Sequence, residues 1–129
     1  DVLLSVTNFG AANNAAFLSN REAQANFIGT LLSLLKERNA DGVNIDFEAI
    51  PRSSSAALNN FIIDLSGQLR SARADYRITL ALPAIAFDQV YDIEQLNLYV
   101  DTYIIMGYEF YGSNSAVAGP VAPLASGSR

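Results

Sequence analysis

The sequence predicts an α/β fold built around a parallel sheet. Three observations carry this. Four apolar, strand-like runs alternate with longer stretches whose apolar residues recur at helical spacing. Each run is nearly continuously apolar, as a strand covered on both faces requires. Half of the 129 residues are hydrophobic and only 16% are charged, a balance that supports a buried core and not a disordered chain.

The runs come in order. The first is Val2 to Val6, closed by Thr7-Asn8-Phe9-Gly10. The second is Gly42 to Phe47, the third Arg77 to Leu82 with Pro83 at its end, and the fourth Val100 to Met106. Val, Ile and Tyr enrich them, residues that fit a pleated surface. Between the first two runs a helix is expected from Asn20 to Arg38, with Phe27, Leu31, Leu34 and Leu35 on one side. Asn39-Ala40-Asp41-Gly42 supplies its stop. A second helix is expected from Ser54 to Ala74, its stripe formed by Leu58, Phe61, Ile62, Leu65 and Leu69 and its cap by Ser53, Ser54 or Ser55. A short helix is expected over Ile93 to Leu98. Residues 112–129 read as a loop-like tail rich in Gly, Pro, Ala and Ser. A flavodoxin-like open sheet and part of a (β/α)₈ barrel both satisfy this order.

Composition narrows the chemistry. Eight basic against thirteen acidic residues give a net charge of −5, which opposes binding to nucleic acid or to anionic membranes. No apolar run reaches the roughly 18 residues that cross a bilayer. The chain has no Cys and no His, so neither a Ser-His-Asp triad nor a typical zinc site can be assembled from it. Acid–base work falls to carboxylates and tyrosines. No cofactor is expected.

The informative segment is Asp41-Gly42-Val43-Asn44-Ile45-Asp46-Phe47-Glu48. Side chains alternate along a strand, so Val43, Ile45 and Phe47 share one face and Asn44, Asp46 and Glu48 the other. Buried carboxylates without partners are costly, so the polar row must meet water, partners or a ligand. In a barrel that row would face the lumen. Glu48 would stand at the C-terminal end of its strand, where active sites of that fold lie, and Asp46 roughly 6–7 Å deeper. A Glu kept protonated near neutral pH can give its proton to a glycosidic oxygen. Two plainer readings stand beside this one. The carboxylates can cap loops or pair with Lys and Arg. They can also bind Mg²⁺ or Ca²⁺, although Val, Ile and Phe between them suit no calcium loop.

The same segment resembles the DGxDxDxE signature of glycoside hydrolase family 18, the chitinase-like enzymes. Asp41, Gly42, Asp46 and Glu48 match it; Asn44 replaces the middle Asp, and Phe47 stands where Trp is often found. Residues Leu3 to Gly10 resemble the third strand of the family barrel, Thr79 to Ala84 the fifth, and Tyr103 to Phe110 the sixth, which in the family carries Met-x-Tyr-Asp. Gly119-Pro120 through Pro123-Leu124 resembles the loop that follows. The resemblance thus implies part of a (β/α)₈ TIM barrel, about four βα units, with residues 1–129 forming a partial catalytic domain. It implies retaining, substrate-assisted cleavage of β-linked N-acetylglucosamine-containing glycans of chitin or peptidoglycan type. Glu48 would be the acid and then the base, Asp46 the residue that orients the acetamido group, and Tyr108 the hydroxyl that holds its oxygen. Met106 would floor the pocket, and Asn44, Glu109, Asn8 and Phe9 would contact substrate.

Two departures bear on rate and substrate. Asn44 carries no charge, which removes the coupling between paired aspartates, but its amide is expected to hydrogen-bond Asp46. Glu109 replaces an Asp and is longer by one methylene. The wording Gly-Val-Asn-Ile-Asp-Phe-Glu is closest to the bacterial cell-wall and spore-cortex branch, which implies an extracellular or cell-envelope location. Period alone puts Tyr103 on the face opposite Met106 and Tyr108, towards the core. Phe87, Tyr91, Phe110 and Tyr111 suit either sugar stacking or the core.

A whole barrel needs about 250 residues. Four units leave two sheet edges and apolar surface uncovered, so self-association through those edges is one expectation. The chain is expected to begin mid-domain, downstream of any leader. Two other functions remain open: a module that binds N-acetylated glycans without cutting them, and a metal-dependent barrel enzyme.

Overall fold

A computed structural model describes residues 1–85, 89–108, 110–112 and 115–125. The strands are β1 (Leu3–Phe9), β2 (Gly42–Glu48), β3 (Arg77–Pro83) and β4 (Thr102–Met106). The helices are α1 (Ala11–Leu18), α2 (Arg21–Glu37), α3 (Ser55–Ala72) and α4 (Ile93–Leu96). The sheet runs β1-β2-β3-β4 and every pairing is parallel. A doubly wound sheet would reverse its strand order. Sequential order with parallel pairing throughout instead puts the helices on one face. Four parallel strands in sequential order with intervening helices match an arc of a (β/α)₈ barrel.

Local sequence explains the helix ends. Asn20 caps α2, its side-chain oxygen accepting from the Ala23 amide at 3.0 Å. At the other end Asn39 adopts a left-handed φ of 49°. The Ala40 amide donates to Leu35 (3.0 Å) and the Asn39 amide to Lys36 (3.3 Å), a Schellman closure with Ala40 and Leu35 both fully buried. Asp92 caps α4 through the Gln95 amide. The serine cap expected for α3 is absent. Ser54 makes no side-chain capping bond, and Ser55 donates its hydroxyl to the Val90 carbonyl instead. A 3₁₀ turn over Arg52–Ser54 leads into α3.

The structure adds α1, which the sequence pattern did not reveal. Its residues, Ala-Ala-Asn-Asn-Ala-Ala-Phe-Leu, are too short and too poor in large apolar groups to show a stripe. β1 also runs on through Thr7-Asn8-Phe9, which hydrophobicity alone had placed beyond its end. The core lies between sheet and helices. Val43, Ile45, Ile78 and Leu80 meet Ile28, Leu31, Leu35, Leu58, Phe61, Ile62, Leu65 and Leu69, all buried. Phe17, Phe27, Phe47 and Phe61 pack ring to ring with centroids 5.2–6.0 Å apart. Tyr103 packs against this core, as its period requires.

Asp41 and Gly42 tie the N-terminal ends of the strands together. The Asp41 carboxylate accepts from the Val2 amide at 2.7 Å, and its carbonyl accepts from the Arg77 amide at 2.9 Å. Arg73 approaches the same carboxylate. The Val2 hydrogen bond, helped by the Arg73 charge and opposed by desolvation, holds the Asp41 carboxyl below its ordinary range. A Cβ on Gly42 would penetrate the Arg77 backbone, so only glycine permits β2 and β3 to pair here. Among the described residues, no helix is long and apolar enough to cross a membrane.

Candidate active site

Strand register assigns the faces. Ser5, Thr7 and Phe9 pair with Asn44, Asp46 and Glu48, and Asn44 pairs with Thr79. Pairing continues from Pro83 to Met106. One face therefore carries Phe9, Asn44, Asp46, Glu48 and Met106. Asn8 belongs to the opposite row with Leu4 and Val6, one position out of phase, so the structure does not bring its side chain to the carboxylates. Its carbonyl instead accepts from Asn14.

A cavity of about 390 Å³ opens at the C-terminal ends of the strands. Phe47, Glu48, Ala49 and Ile50 from the end of β2 line it, with Pro83, Ala84 and Ile85 after β3, Val90 and Tyr91 before α4, and Met106, Tyr108 and Phe110 at and beyond β4. Among the described residues Glu48 is thus the carboxylate that lines this largely apolar pocket, together with Met106 and Tyr108. Asp46 sits below, half-buried, with Oδ1 shielded from solvent and without a hydrogen-bond partner. Phe9, opposite Glu48 in register, is 53% exposed at the open edge. Glu109 and Phe87 lie outside the described residues.

Asn44 does not bond Asp46. Its Nδ2 donates to Ser5 Oγ at 3.1 Å, and its Oδ1 accepts from Thr79 Oγ1 at 2.7 Å. The amide is spent sideways, stitching β1, β2 and β3 across the polar face. The neighbouring strands offer hydroxyls in register, and these satisfy both ends of the amide without turning it along its own strand. The serine and threonine were visible in the sequence, but the register that aligns them was not.

Tyr91 is the residue whose role the sequence left open. It is buried, and its hydroxyl donates to the Phe47 carbonyl at 3.4 Å. Burial first, then the nearby charges of Asp46 and Glu48, push its phenol up to about 12. It stays a neutral donor well above the pH at which an ordinary tyrosine ionises. Tyr103 is likewise raised by burial. Phe110 reaches the cavity because its amide donates to the Val121 carbonyl at 3.0 Å, folding the tail back. The Tyr111 ring packs against Gly119, away from the cavity lining. Among the described residues, no group of three or more acidic side chains converges in a way that could hold a metal ion.

Chemically, this arrangement offers one carboxyl able to exchange a proton within apolar walls, a second carboxyl below it with an oxygen awaiting a donor, and two phenols. The family described as glycosyl hydrolases family 18 matches residues 1–129. The Drosophila melanogaster protein named "Probable chitinase 2" is 28% identical over 123 residues, 91% of this chain and 25% of that protein. The Bacillus subtilis (strain 168) protein named "Putative sporulation-specific glycosylase YdhD" is 30% identical over 112 residues, 83% of this chain and 26% of its own length. The crystal structure of the latter superposes with a TM-score of 0.81 at 27% identity, covering 94% of this chain and 42% of that one. The chain spans about a quarter of the length of these two relatives.

Proposed function

We propose, from the premise that the chain belongs to glycosyl hydrolases family 18, that it carries the proton-donating side of a retaining glycosidase site for β-linked N-acetylglucosamine polymers. The observation that supports this most is the position of Glu48: the last residue of β2, opening into the cavity beside Tyr91, Met106 and Tyr108.

The chemistry follows from these groups. The Glu48 carboxylic acid gives its proton to the glycosidic oxygen as the bond to the anomeric carbon breaks. The carbonyl oxygen of the substrate's own acetamido group forms the new bond to that carbon, giving an oxazolinium ion with the sugar. Asp46, with an oxygen that lacks a donor, takes the acetamido N–H and stabilises the developing positive charge. The Tyr108 hydroxyl donates to the acetamido oxygen and aligns it. Water then attacks the anomeric carbon, and the Glu48 carboxylate takes its proton. The apolar walls from Ile50, Val90 and Met106 exclude competing water and suit the apolar faces of the sugar ring.

Substrates of chitin or peptidoglycan type lie outside the cytoplasm, so the site would work extracellularly or in the cell envelope. The test is hydrolysis of a fluorogenic N-acetylglucosamine oligomer by the full-length protein beside Glu48→Gln. A fall in kcat of about 10²–10⁴-fold in the variant is expected for loss of a general acid. Equal rates in the two proteins would remove Glu48 from the mechanism. Binding without turnover in the wild type would turn the site into a glycan-binding one.

A further inference from the structure

The end of β2 is held by a residue that sequence pattern gave no reason to single out. Asn14, on α1, is fully buried. Its Nδ2 approaches three main-chain carbonyls: Glu48 at 2.6 Å, and Asn8 and Gly10 at 3.2 Å each. The Glu48 carbonyl also accepts from the Gly10 amide at 3.3 Å. One side chain thus binds the end of β1 and the residue just beyond it to the residue that carries the cavity carboxyl.

The backbone on both sides is unusual. Gly10 has a φ of 94°, and Ala49, directly after Glu48, a φ of 60°. Left-handed geometry costs a non-glycine residue about 1–3 kcal/mol and persists only when surrounding bonds enforce it. The Asn14 amide also leaves Oδ1 buried and without a partner. A buried unpaired acceptor is costly, so packing alone would favour an apolar residue here. The donor is what this position supplies.

We infer that Asn14 is a positioning residue, which fixes the Glu48 main chain and through it the carboxyl in the cavity. The inference rests on the reading of Glu48 as the acid. Displacing a reacting group by about 1 Å lowers rate about 100-fold. Asn14→Ala in the full-length protein is therefore expected to lower kcat for the fluorogenic oligomer about 100-fold, leave KM within about twofold, and shift the alkaline limb of the kcat–pH profile. Leu65→Ala, which empties a buried position of α3 away from the cavity, serves as the destabilised control and should keep kcat and both limbs. A crystal structure of Asn14→Ala should show the Glu48 carboxylate moved by about 1 Å. Wild-type kcat, an unmoved limb and an unmoved carboxylate would overturn the inference. Should Asn14→Ala fail to fold, Asn14→Ser is read by the same criteria with the same two outcomes. Glu48→Gln separates the layers. If it keeps full activity, the acid assignment falls and this inference with it. If it is dead while the Asn14 variants match wild type, only the positioning role falls.

Discussion

Tyr91 offers a quantitative check on the electrostatics of the site. Its phenol is raised from an ordinary 10.0 to about 12 by burial and by the charges of Asp46 and Glu48. In the unfolded chain it ionises near pH 10; in the folded chain it stays neutral for about two pH units more. Neutrality therefore contributes stability that is full below pH 10 and is lost as pH rises towards 12. At about 1.4 kcal/mol per pH unit, the loss totals about 3 kcal/mol across that window. Tyr91→Phe removes the ionisation and leaves the ring. Urea unfolding of the two proteins from pH 8 to 12 should show the wild type losing stability more steeply than the variant above pH 10 and equally below it. Tyr103 is raised in both and cancels in the difference. Tyrosinate absorbance should show one phenol fewer titrating at the alkaline end of the variant's curve. Glu48→Gln should bring the Tyr91 titration down, because one repelling charge is gone. Parallel stability curves for wild type and Tyr91→Phe would refute the burial argument.

Two further outcomes follow from the opposite end of the strands. Gly42→Ala should destabilise by about 3 kcal/mol, combining overpacking against the Arg77 backbone with a lost hydrogen bond there; a urea midpoint lower by about 1–2 M would show it, and an unchanged midpoint would contradict the close approach. Asp41→Asn should flatten the acid limb of stability: the Asp41 carboxyl is depressed in the folded state, so the wild type's extra stability is present above the ordinary carboxylate range and lost as pH falls through the folded value. Unfolding midpoints that fall with pH equally in both proteins would count against it.

Much of the fold was legible because its strands are hydrophobic runs and two of its helices are long and amphipathic. The stripe from Leu58 to Leu69 and the stop at Asn39 required no tertiary knowledge. What escaped depends on register. α1 carries no stripe; besides burying Leu18 and placing Phe17 in the ring cluster, it supplies one buried amide that meets chain 34 residues away. The lateral bonds of Asn44 depend on Ser5 and Thr79 falling in line, which only the paired sheet decides. Asn8 and Phe9 are neighbours in sequence, and alternation sends them to different faces. Glu48 and Met106 end their strands, with Asp46 two residues before and Tyr108 two residues beyond, and all four were legible because they stand within recognisable motifs. Tyr91 was visible only as an aromatic residue, since its proximity to two carboxylates arises from the turn after β3.

The segment from Asp41 to Glu48 divides its work along about 23 Å of strand. Asp41 and Gly42 act at one end on strand pairing, through bonds to Val2 and Arg77 and through the missing Cβ. Asn44, in the middle, ties three strands together. At the other end the Glu48 main chain accepts from Asn14 and Gly10 while Glu48 lines the cavity, and Asp46 keeps one carboxylate oxygen buried without a donor. A motif that served stability alone would satisfy the Asp46 carboxylate, as the Asn44 amide is satisfied; this one leaves Asp46 Oδ1 buried and without a partner. The cost of an unpaired buried oxygen is about 1–3 kcal/mol, and a ligand N–H reaching it from the cavity would recover it. Substitutions at the two ends should therefore fail differently, the first by loss of stability and the second by loss of turnover in a folded protein.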